Sequence, residues 1–312
     1  MKILKRHLLD EIASKLGFCD VGTVSFDAYL QAVPTLEPSF HFAKTILCFA
    51  LPYDRFDPVL KKNQWTVAKF AYGRDYHRVM ESLLMDARIL LKHHLGSFES
   101  KITVDATILD EKKIATLSGI GFLGKNNLVI SPKHGSFFVL GELLVDFEVD
   151  GKTNPKENGC GNCTKCKDAC PTQAISDDFE RTKCLSYLTQ KKHPFSSEAF
   201  SAMGSSVFGC DICQNVCPYN QKTIPGHPDL MFDEDSVFTL PSILALNATT
   251  YKEKYEQKTF QWIKYEVILR NVIIASVNSK SIEIDVLMEL QQKYRDMGWM
   301  NSVLEQSLER MK

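Results

Sequence analysis

Eight of the ten cysteines lie between residues 160 and 217, and this cluster constrains the chain more than any other feature of its sequence. The other two, Cys19 and Cys48, are isolated in the N-terminal half. A disulfide framework is typical of short secreted chains, whereas 312 residues with 44% hydrophobic side chains are enough to form a hydrophobic core without such crosslinks. We therefore interpret the clustered cysteines as metal ligands.

The spacing of these cysteines indicates the kind of metal centre. The first four form the run CxxCxxCxxxCP, which is typical of bacterial ferredoxins and whose last cysteine ligates the other cluster of a pair. The second run, CxxCxxxCP, lacks a first cysteine, and Cys184 is the candidate to replace it. Crossed ligation then predicts two 4Fe-4S clusters. The predicted ligands are Cys160, Cys163, Cys166 and Cys217 for cluster one, and Cys170, Cys184, Cys210 and Cys213 for cluster two.

Zinc is the alternative occupant, because zinc sites also use CxxC pairs. Zinc sites more often present two separated pairs than a triplet followed by CxxxCP, so the iron-sulfur interpretation is favoured. The CxxxCxxC motif of radical S-adenosylmethionine enzymes is absent from the sequence. Two clusters close together conduct electrons, so we expect a further redox centre beside them.

The N-terminal half has the mixed periodicities of an α/β (α+β) domain. Helices are predicted from the apolar spacing over 3–16, from Asp75 to Gly96 and over 111–117, and strands over 45–51, 101–105, 127–130 and 136–145. Composition changes to Gly, Pro, Asn and Lys at 150–161, and the chain beyond about 237 has a helical pattern. We expect three consecutive domains: a catalytic domain at 1–152, a ferredoxin-like module at 153–225 and a helical tail at 226–312.

Charge gives little indication of a partner. Lys and Arg total 37 against 38 Asp and Glu, so a polyanion would have to be bound by a local basic patch. The candidate groups are Lys61 with Lys62, Lys112 with Lys113, Lys133 with His134, and Lys191 with Lys192 and His193. No apolar run approaches the roughly 18 to 20 residues that cross a bilayer, so a cytoplasmic protein without membrane contact is expected.

Six ordered segments of the chain resemble the epoxyqueuosine reductases. They are YGRDYHRVM at 72–80, VDATILDEKKIATLSGIGFLGKNNLVI at 104–130, GSFFVLGELL at 135–144, CGNCTKCKDACPTQAI at 160–175, RTKCLSYLTQ at 181–190 and GCDICQNVCPYN at 209–220. The resemblance implies reduction of the epoxide of epoxyqueuosine to an alkene at the wobble base of a tRNA. It also implies cobalamin and two 4Fe-4S clusters as cofactors, and a catalytic domain of nitroreductase-like architecture. Residues 260–280 resemble the start of a HEAT-like repeat, so the tail is expected to be a shortened one.

Asp105 is the expected proton donor, because it occupies the family's donor position in VDATILDE, ends a predicted strand and precedes a Gly-rich turn. A poorly solvated site would keep this carboxylic acid protonated. Cobalamin is expected to bind base off, since Asp75 and His77 lack the glycine of the DxHxxG lower-ligand motif. The full set of expected cofactor contacts is Ala68, Asp75, His77, Asp105, Lys125, Asn126, Val129 and Leu140.

The expected partners follow from the same resemblance. They are a tRNA anticodon stem-loop carrying epoxyqueuosine and a low-potential electron donor of the flavodoxin or ferredoxin type, with the enzyme itself a monomer. Two alternatives use the same cysteine motifs: a corrinoid and iron-sulfur reductase of a small molecule, and an electron-transfer protein whose N-terminal domain only binds a partner.

Overall fold

A computed structural model describes residues 2–33, 40–105, 108–151, 153–221 and 224–312. The strands in these ranges are β1 (Ile3–Leu4), β2 (Asp20–Ser25), β3 (Thr45–Pro52), β4 (Trp65–Thr66), β5 (Ser100–Thr103), β6 (Phe122–Leu123), β7 (Val129–Ile130), β8 (Phe138–Val145), β9 (Glu148–Val149) and β10 (Val237–Phe238). The α-helices are α1 (Arg6–Lys15), α2 (Phe26–Ala32), α3 (Tyr76–Leu95), α4 (Glu111–Leu117), α5 (Lys165–Ala169), α6 (Leu185–Leu188), α7 (Ser197–Ala202), α8 (Ile212–Asn215), α9 (Leu240–Leu244), α10 (Ala248–Lys254), α11 (Tyr265–Asn278), α12 (Ile284–Lys293) and α13 (Gly298–Met311).

The chain forms two compact units, and each is assembled from separate stretches of sequence. The first comprises Met1–Arg55, Arg74–Cys163 and Cys217–Met231, and the second comprises Phe56–Gly73, Thr164–Val216 and Phe232–Lys312. These units differ from the three consecutive domains expected at 1–152, 153–225 and 226–312. The expected cysteine-rich module is divided between the two units, and the expected boundary residue Lys152 lies outside the described residues.

An antiparallel four-stranded sheet in the order β2-β3-β8-β5 forms the centre of the first unit. Every residue of β3 is buried, as its continuous apolar sequence predicts. Gly141 on β8 lets α3 lie close to one face, because a side chain there would collide with Met80 of that helix. The opposite face packs on α2 and α4 through a core that includes Tyr29, Ile46 and Ile114.

The ends of the helices in this unit follow the sequence signals. Asp75 caps α3 by accepting a hydrogen bond from the backbone N–H of His77, and Asp110 caps α4 by accepting one from Lys113. The predicted helix at 3–16 begins later than expected, because Ile3 and Leu4 form a short strand paired with β9. The predicted strand at 101–105 ends at Thr103, two residues before Asp105.

The second unit is mainly helical and has one large hydrophobic core. Helix α11 is its central element, with a run of buried residues from Tyr265 to Val277. Residues from segments distant in sequence pack in the same core, including Phe200 of α7, Leu304 of α13, and Phe260, which precedes α11. The predicted helical tail is confirmed, except that Val237 and Phe238 form a strand paired with β4. None of the helices in the described ranges has the length and apolar character needed to cross a membrane.

Candidate active site and cysteine centres

Four side chains lie close together, three at the start of α3 and one in the segment that follows β5. They are Asp75, Tyr76, His77 and Asp105. Asp75 is the N-cap of α3, which places the next two residues on its first turn. Asp105 has a φ of 48°, in the left-handed region that aspartate tolerates better than most residues. That conformation turns the chain after β5 so that its carboxylate meets the first turn of α3. Ala106 and Thr107, which follow it in the sequence motif, lie outside the described residues.

Hydrogen bonds join these four residues into one network. The imidazole Nδ1 of His77 lies 2.7 Å from Asp75 Oδ1, and its Nε2 lies 3.4 Å from Asp105 Oδ2. The Tyr76 hydroxyl donates to the same Asp105 oxygen at 3.3 Å, and its ring stacks on the His77 ring at 4.0 Å. One imidazole therefore bridges two carboxylates.

The two carboxylates determine the charge of His77. Burial lowers its pKa, but the hydrogen bonds to Asp105 and Asp75 outweigh burial and raise the pKa to about 9. His77 is consequently an imidazolium at neutral pH. In return, hydrogen bonding to His77 overcomes the effect of burial on Asp75 and lowers its pKa below the usual value.

The expectation that Asp105 lies in a poorly solvated site is wrong for the free chain. Its side chain is 65% exposed, in a left-handed turn two residues beyond the end of β5. The site holds a proton on His77 at neutral pH, within hydrogen-bonding distance of Asp105.

Sequence reasoning missed a buried carboxyl group in the sheet of this unit. Glu142 on β8 lies opposite Cys48 of β3 and Thr103 of β5, is fully buried, and accepts a hydrogen bond from the Thr103 hydroxyl at 3.1 Å. Burial raises its pKa well above the usual value, and the neighbouring charge of Glu111 raises it further. The available signal was one glutamate in the apolar run FVLGELLV.

The other expected cofactor contacts in this unit have different environments. Asn126 is buried and its Nδ2 has no hydrogen-bond partner within the described residues, which suits an amide donor reserved for a bound molecule. Val129 is buried on β7, and Leu140 is half-buried on β8 opposite Ala50. The amino group of Lys125 donates to the carbonyls of Gly161 and Cys163 and so anchors the first cysteine loop.

Ala68 belongs to the second unit and lies beside a cysteine loop. Its N–H donates to the Phe208 carbonyl at 2.7 Å, and its side chain packs against Gly209, which precedes Cys210. A side chain at Gly209 would collide with Ala68, so only glycine permits this approach. Both residues line a cleft of about 180 Å³ together with Lys69, Asp211 and Asn215.

Three predicted ligands of cluster one lie in the first unit. Cys217 is buried, and burial together with the nearby Cys160 and Cys163 raises the pKa of its thiol. Cys217 and Cys160 also pack with Phe122 and Ile130. The structure thus brings Cys217 close to Cys160 and Cys163 of the first cysteine run. Cys166 lies in the second unit.

The four predicted ligands of cluster two all lie in the second unit. Burial raises the pKa of the Cys210 thiol to about 12, and the neighbouring Cys184 and Cys170 contribute to the increase. Burial also raises the pKa of the Cys213 thiol, and the nearby Cys210, Cys184 and Cys166 raise it further. Buried thiols of this kind need a cation when they ionise, and the iron atoms of a cluster supply that charge. The residues therefore fit the cluster predicted for them.

Comparison with known proteins gives two family matches within the chain. Residues 159–220 match the family described as "4Fe-4S double cluster binding domain", which supports the interpretation of the cysteines as iron-sulfur ligands over zinc. Residues 36–106 match "Epoxyqueuosine reductase QueG, DUF1730".

Full-length relatives extend this similarity. The chain is 34% identical over 305 residues to an epoxyqueuosine reductase of Cyclobacterium marinum, covering 87% of this chain and 97% of the relative. It is 33% identical over 263 residues to one of Bacillus subtilis, covering 80% and 67%. The solved Streptococcus thermophilus epoxyqueuosine reductase superposes with a TM-score of 0.84 at 27% identity, over 97% of this chain and 89% of that one. An epoxyqueuosine reductase crystallised with an epoxyqueuosine-modified tRNA-Tyr stem loop matches with a TM-score of 0.83 at 26% identity, over 98% of both chains.

Proposed function

The chain belongs to the epoxyqueuosine reductase family, and from that premise we propose that it reduces epoxyqueuosine to queuosine in tRNA. The enzyme is an oxidoreductase. Its reaction takes two electrons and two protons: a carbon–oxygen bond of the epoxide breaks, an alkene forms, and the epoxide oxygen leaves as water. The site must therefore deliver protons to an oxygen that becomes negatively charged as it leaves.

The observation that carries this proposal is the His77 imidazolium between Asp75 and Asp105. In the proposed mechanism Asp105 transfers a proton from its carboxyl oxygen to the departing oxygen. His77, hydrogen-bonded to that same carboxyl oxygen, supplies the first proton, which Asp105 passes on. Solvent, to which the Asp105 side chain is exposed, supplies the second proton that completes the water molecule. Asp75 holds the imidazole in place and keeps it protonated, so the proton store is filled at neutral pH.

Tyr76 has a positioning role in this proposal. Its ring stacks on His77, and its hydroxyl donates to Asp105. Burial and the charge of Asp105 raise the pKa of the Tyr76 hydroxyl, so it remains a neutral donor. We infer that it orients the Asp105 carboxyl group and does not itself transfer a proton.

Cobalamin, when bound, would supply the strong two-electron reductant that the reaction needs. We propose that it binds base off, with Asp75, His77, Asp105, Lys125, Asn126, Val129 and Leu140 of the first unit as contacts; the contact expected for Ala68 rests on the family resemblance alone. The free Nδ2 donor of Asn126 supports this proposal, because the amide side chains at the edge of the corrin ring are suitable acceptors. The nitroreductase-like architecture of the domain remains part of the same proposal.

The two clusters of the double-cluster domain transfer the electrons for the proposed reduction. The grouping of Cys217 with Cys160 and Cys163 supports crossed ligation of cluster one, in which Cys166 is assigned from the sequence spacing. The grouping of Cys170, Cys184, Cys210 and Cys213 supports the ligands of cluster two. We propose a flavodoxin- or ferredoxin-type protein as the donor, and a monomeric cytoplasmic enzyme.

The proposed tRNA partner is supported by a solved relative that holds an epoxyqueuosine-modified stem loop. In this chain a basic group of the second unit is suited to phosphate contacts. Lys191 and Arg181 both lie over the Tyr187 ring, at 5.1 and 5.2 Å. The adjacent Lys192 has its pKa lowered, chiefly by its interaction with the nearby amino group of Lys264. His134, named in another basic group, is buried and does not present a surface cation.

The direct test is incubation of the anaerobically reconstituted enzyme with epoxyqueuosine-containing tRNA and a low-potential reductant, followed by nucleoside analysis. Queuosine should appear only when cobalamin and reductant are both present. Tyrosine tRNA carrying unmodified guanosine at the wobble position is the matched substrate control. Failure to form queuosine with fully loaded enzyme would contradict the proposal, and reduction of small epoxides alone would favour a small-molecule reductase.

A further inference from the structure

A buried arginine lies in the core of the second unit. Arg270 is fully buried on α11, within the apolar run VILRNVII. Its guanidinium donates to the carbonyls of Lys191 at 2.5 Å, His193 at 3.1 Å and Leu188 at 3.1 Å. The rings of Phe195 and Trp299 lie 4.7 and 5.5 Å from it.

No carboxylate among the described residues forms an ion pair with Arg270. Burial lowers its pKa to about 9, and no other charged group contributes to that change. The guanidinium therefore stays protonated at neutral pH. Its nearest side-chain acceptor is the neutral amide of Asn271, at 3.0 and 2.8 Å. Carbonyl and amide oxygens satisfy the hydrogen bonds of the guanidinium but do not neutralise its charge, so a negative group nearby in this unit would lower the cost of burying it.

Arg270 and Asn271 together contact the loops that carry two proposed ligands of cluster two. Leu188, whose carbonyl accepts from Arg270, ends the short helix α6, and Cys184 is the N-cap of that helix. Asn271 donates to the carbonyls of Thr189 at 2.8 Å and Val207 at 2.7 Å.

A further hydrogen bond links the two loops. The Thr189 hydroxyl accepts from the N–H of Gly209 at 3.0 Å, and Gly209 directly precedes Cys210. The helical tail thus fixes both ligand-bearing loops through two neighbouring side chains of α11.

We propose that Arg270 positions the second cluster and tunes its reduction potential, with the cluster itself acting as the countercharge to the guanidinium. A 4Fe-4S cluster held by four thiolates is an anion, and each electron that it accepts adds one negative charge. A fixed cation nearby stabilises the reduced form more than the oxidised form. This inference rests on the proposed ligand set of cluster two, and not on the identity of the tRNA substrate.

The size of the effect follows from Coulomb's law. The four-residue helix α6 spans about 6 Å, so the guanidinium lies on the order of 10 Å from Cys184. At an effective dielectric constant of about 20, removing a unit charge at this distance should lower the equilibrium constant for reduction by roughly tenfold.

The test compares Arg270→Gln with Arg270→Lys by anaerobic redox titration, with the cluster signals followed by electron paramagnetic resonance. Both substitutions disturb the guanidinium hydrogen bonds, but only glutamine removes the charge. We expect a more negative midpoint for cluster two in Arg270→Gln, a midpoint near that of the wild type in Arg270→Lys, and no change in cluster one. An unchanged midpoint in Arg270→Gln, or equal shifts in both variants, would overturn the tuning role.

Asn271→Asp is a second variant that keeps the guanidinium, but it loses the amide donors to the Thr189 and Val207 carbonyls, so its midpoint is compared only at full iron content of cluster two. A carboxylate at this position would pair with Arg270 and cancel its charge, so the midpoint of cluster two should again become more negative. One combination of results would overturn the tuning role and leave only the positioning role: Arg270→Gln loses iron from cluster two, while the midpoint of cluster two in Asn271→Asp equals that of the wild type. These measurements need no tRNA, so their failure is distinguishable from failure of the proposed function.

Discussion

Replacing His77 with glutamine tests the electrostatic centre of the candidate active site. Glutamine retains hydrogen-bonding capacity beside Asp75 and Asp105 but carries no charge. In the wild-type protein the imidazolium stabilises the folded state, because its two carboxylate partners favour the protonated form. The variant should lack this pH-dependent contribution.

The rise in the pKa of His77 from its ordinary 6.5 to about 9 sets the size of this contribution. A rise of about 2.5 units corresponds to at most about 3.4 kcal/mol, at about 1.36 kcal/mol per unit. The side chain is 32% exposed, so solvent screening reduces the expected contribution to about 1–2 kcal/mol. Because the folded pKa is raised, this stability is fully present below pH 6.5 and is lost as the pH rises through about 9.

The assay is anaerobic urea denaturation of wild type and His77→Gln at pH 6 and pH 10, both with their clusters in place. Any other group that titrates between these pH values does so in both proteins. The quantity to compare is therefore the loss of unfolding free energy between the two pH values. We expect the wild type to lose about 1–2 kcal/mol more than the variant.

Equal losses in the two proteins would refute the reasoning. An independent check is an NMR titration of the His77 ring in the folded protein. A ring that titrates near 6.5 would show that the carboxylates do not hold the proton, and the proposed proton store would then be wrong.

Asp105→Asn should lower turnover by about 10²- to 10⁴-fold while retaining cobalamin, both clusters and tRNA affinity. A larger loss of turnover in Asp75→Asn at equal cofactor loading would show that Asp105 is the wrong choice of proton donor. Cys184→Ala should lower the iron content toward one cluster, and unchanged iron measured by colorimetric assay would assign the ligand to another residue. Glu142→Gln should fold normally and become more stable than the wild type as the pH rises, because a buried acid with a raised pKa destabilises the fold above its usual pKa; denaturation midpoints that respond to pH identically in both proteins would contradict this.

The sequence by itself determined the metal chemistry and much of the local structure. Cysteine spacing predicted the double-cluster domain, because thiolates three residues apart can reach one cluster. Apolar periodicity predicted α3 and α4 to within a residue or two, because the period of a helix depends on local interactions.

The tertiary structure alone decided how these elements combine. Sequence gave no reason to group 56–73 with the helical tail, because that grouping depends on contacts between distant segments. The solvation of Asp105 was predicted wrongly, since exposure depends on which neighbours a turn brings near it and on a φ that no spacing rule specifies.

Three further features have the same origin. The charge of His77 arises from carboxylates on different segments, and the burial of Glu142 and Arg270 arises from sheet register and helix packing. The sequence shows which side chains could act as acids, bases or ligands. Desolvation and through-space electrostatics, which set the protonation and charge of those residues, exist only once the chain has folded.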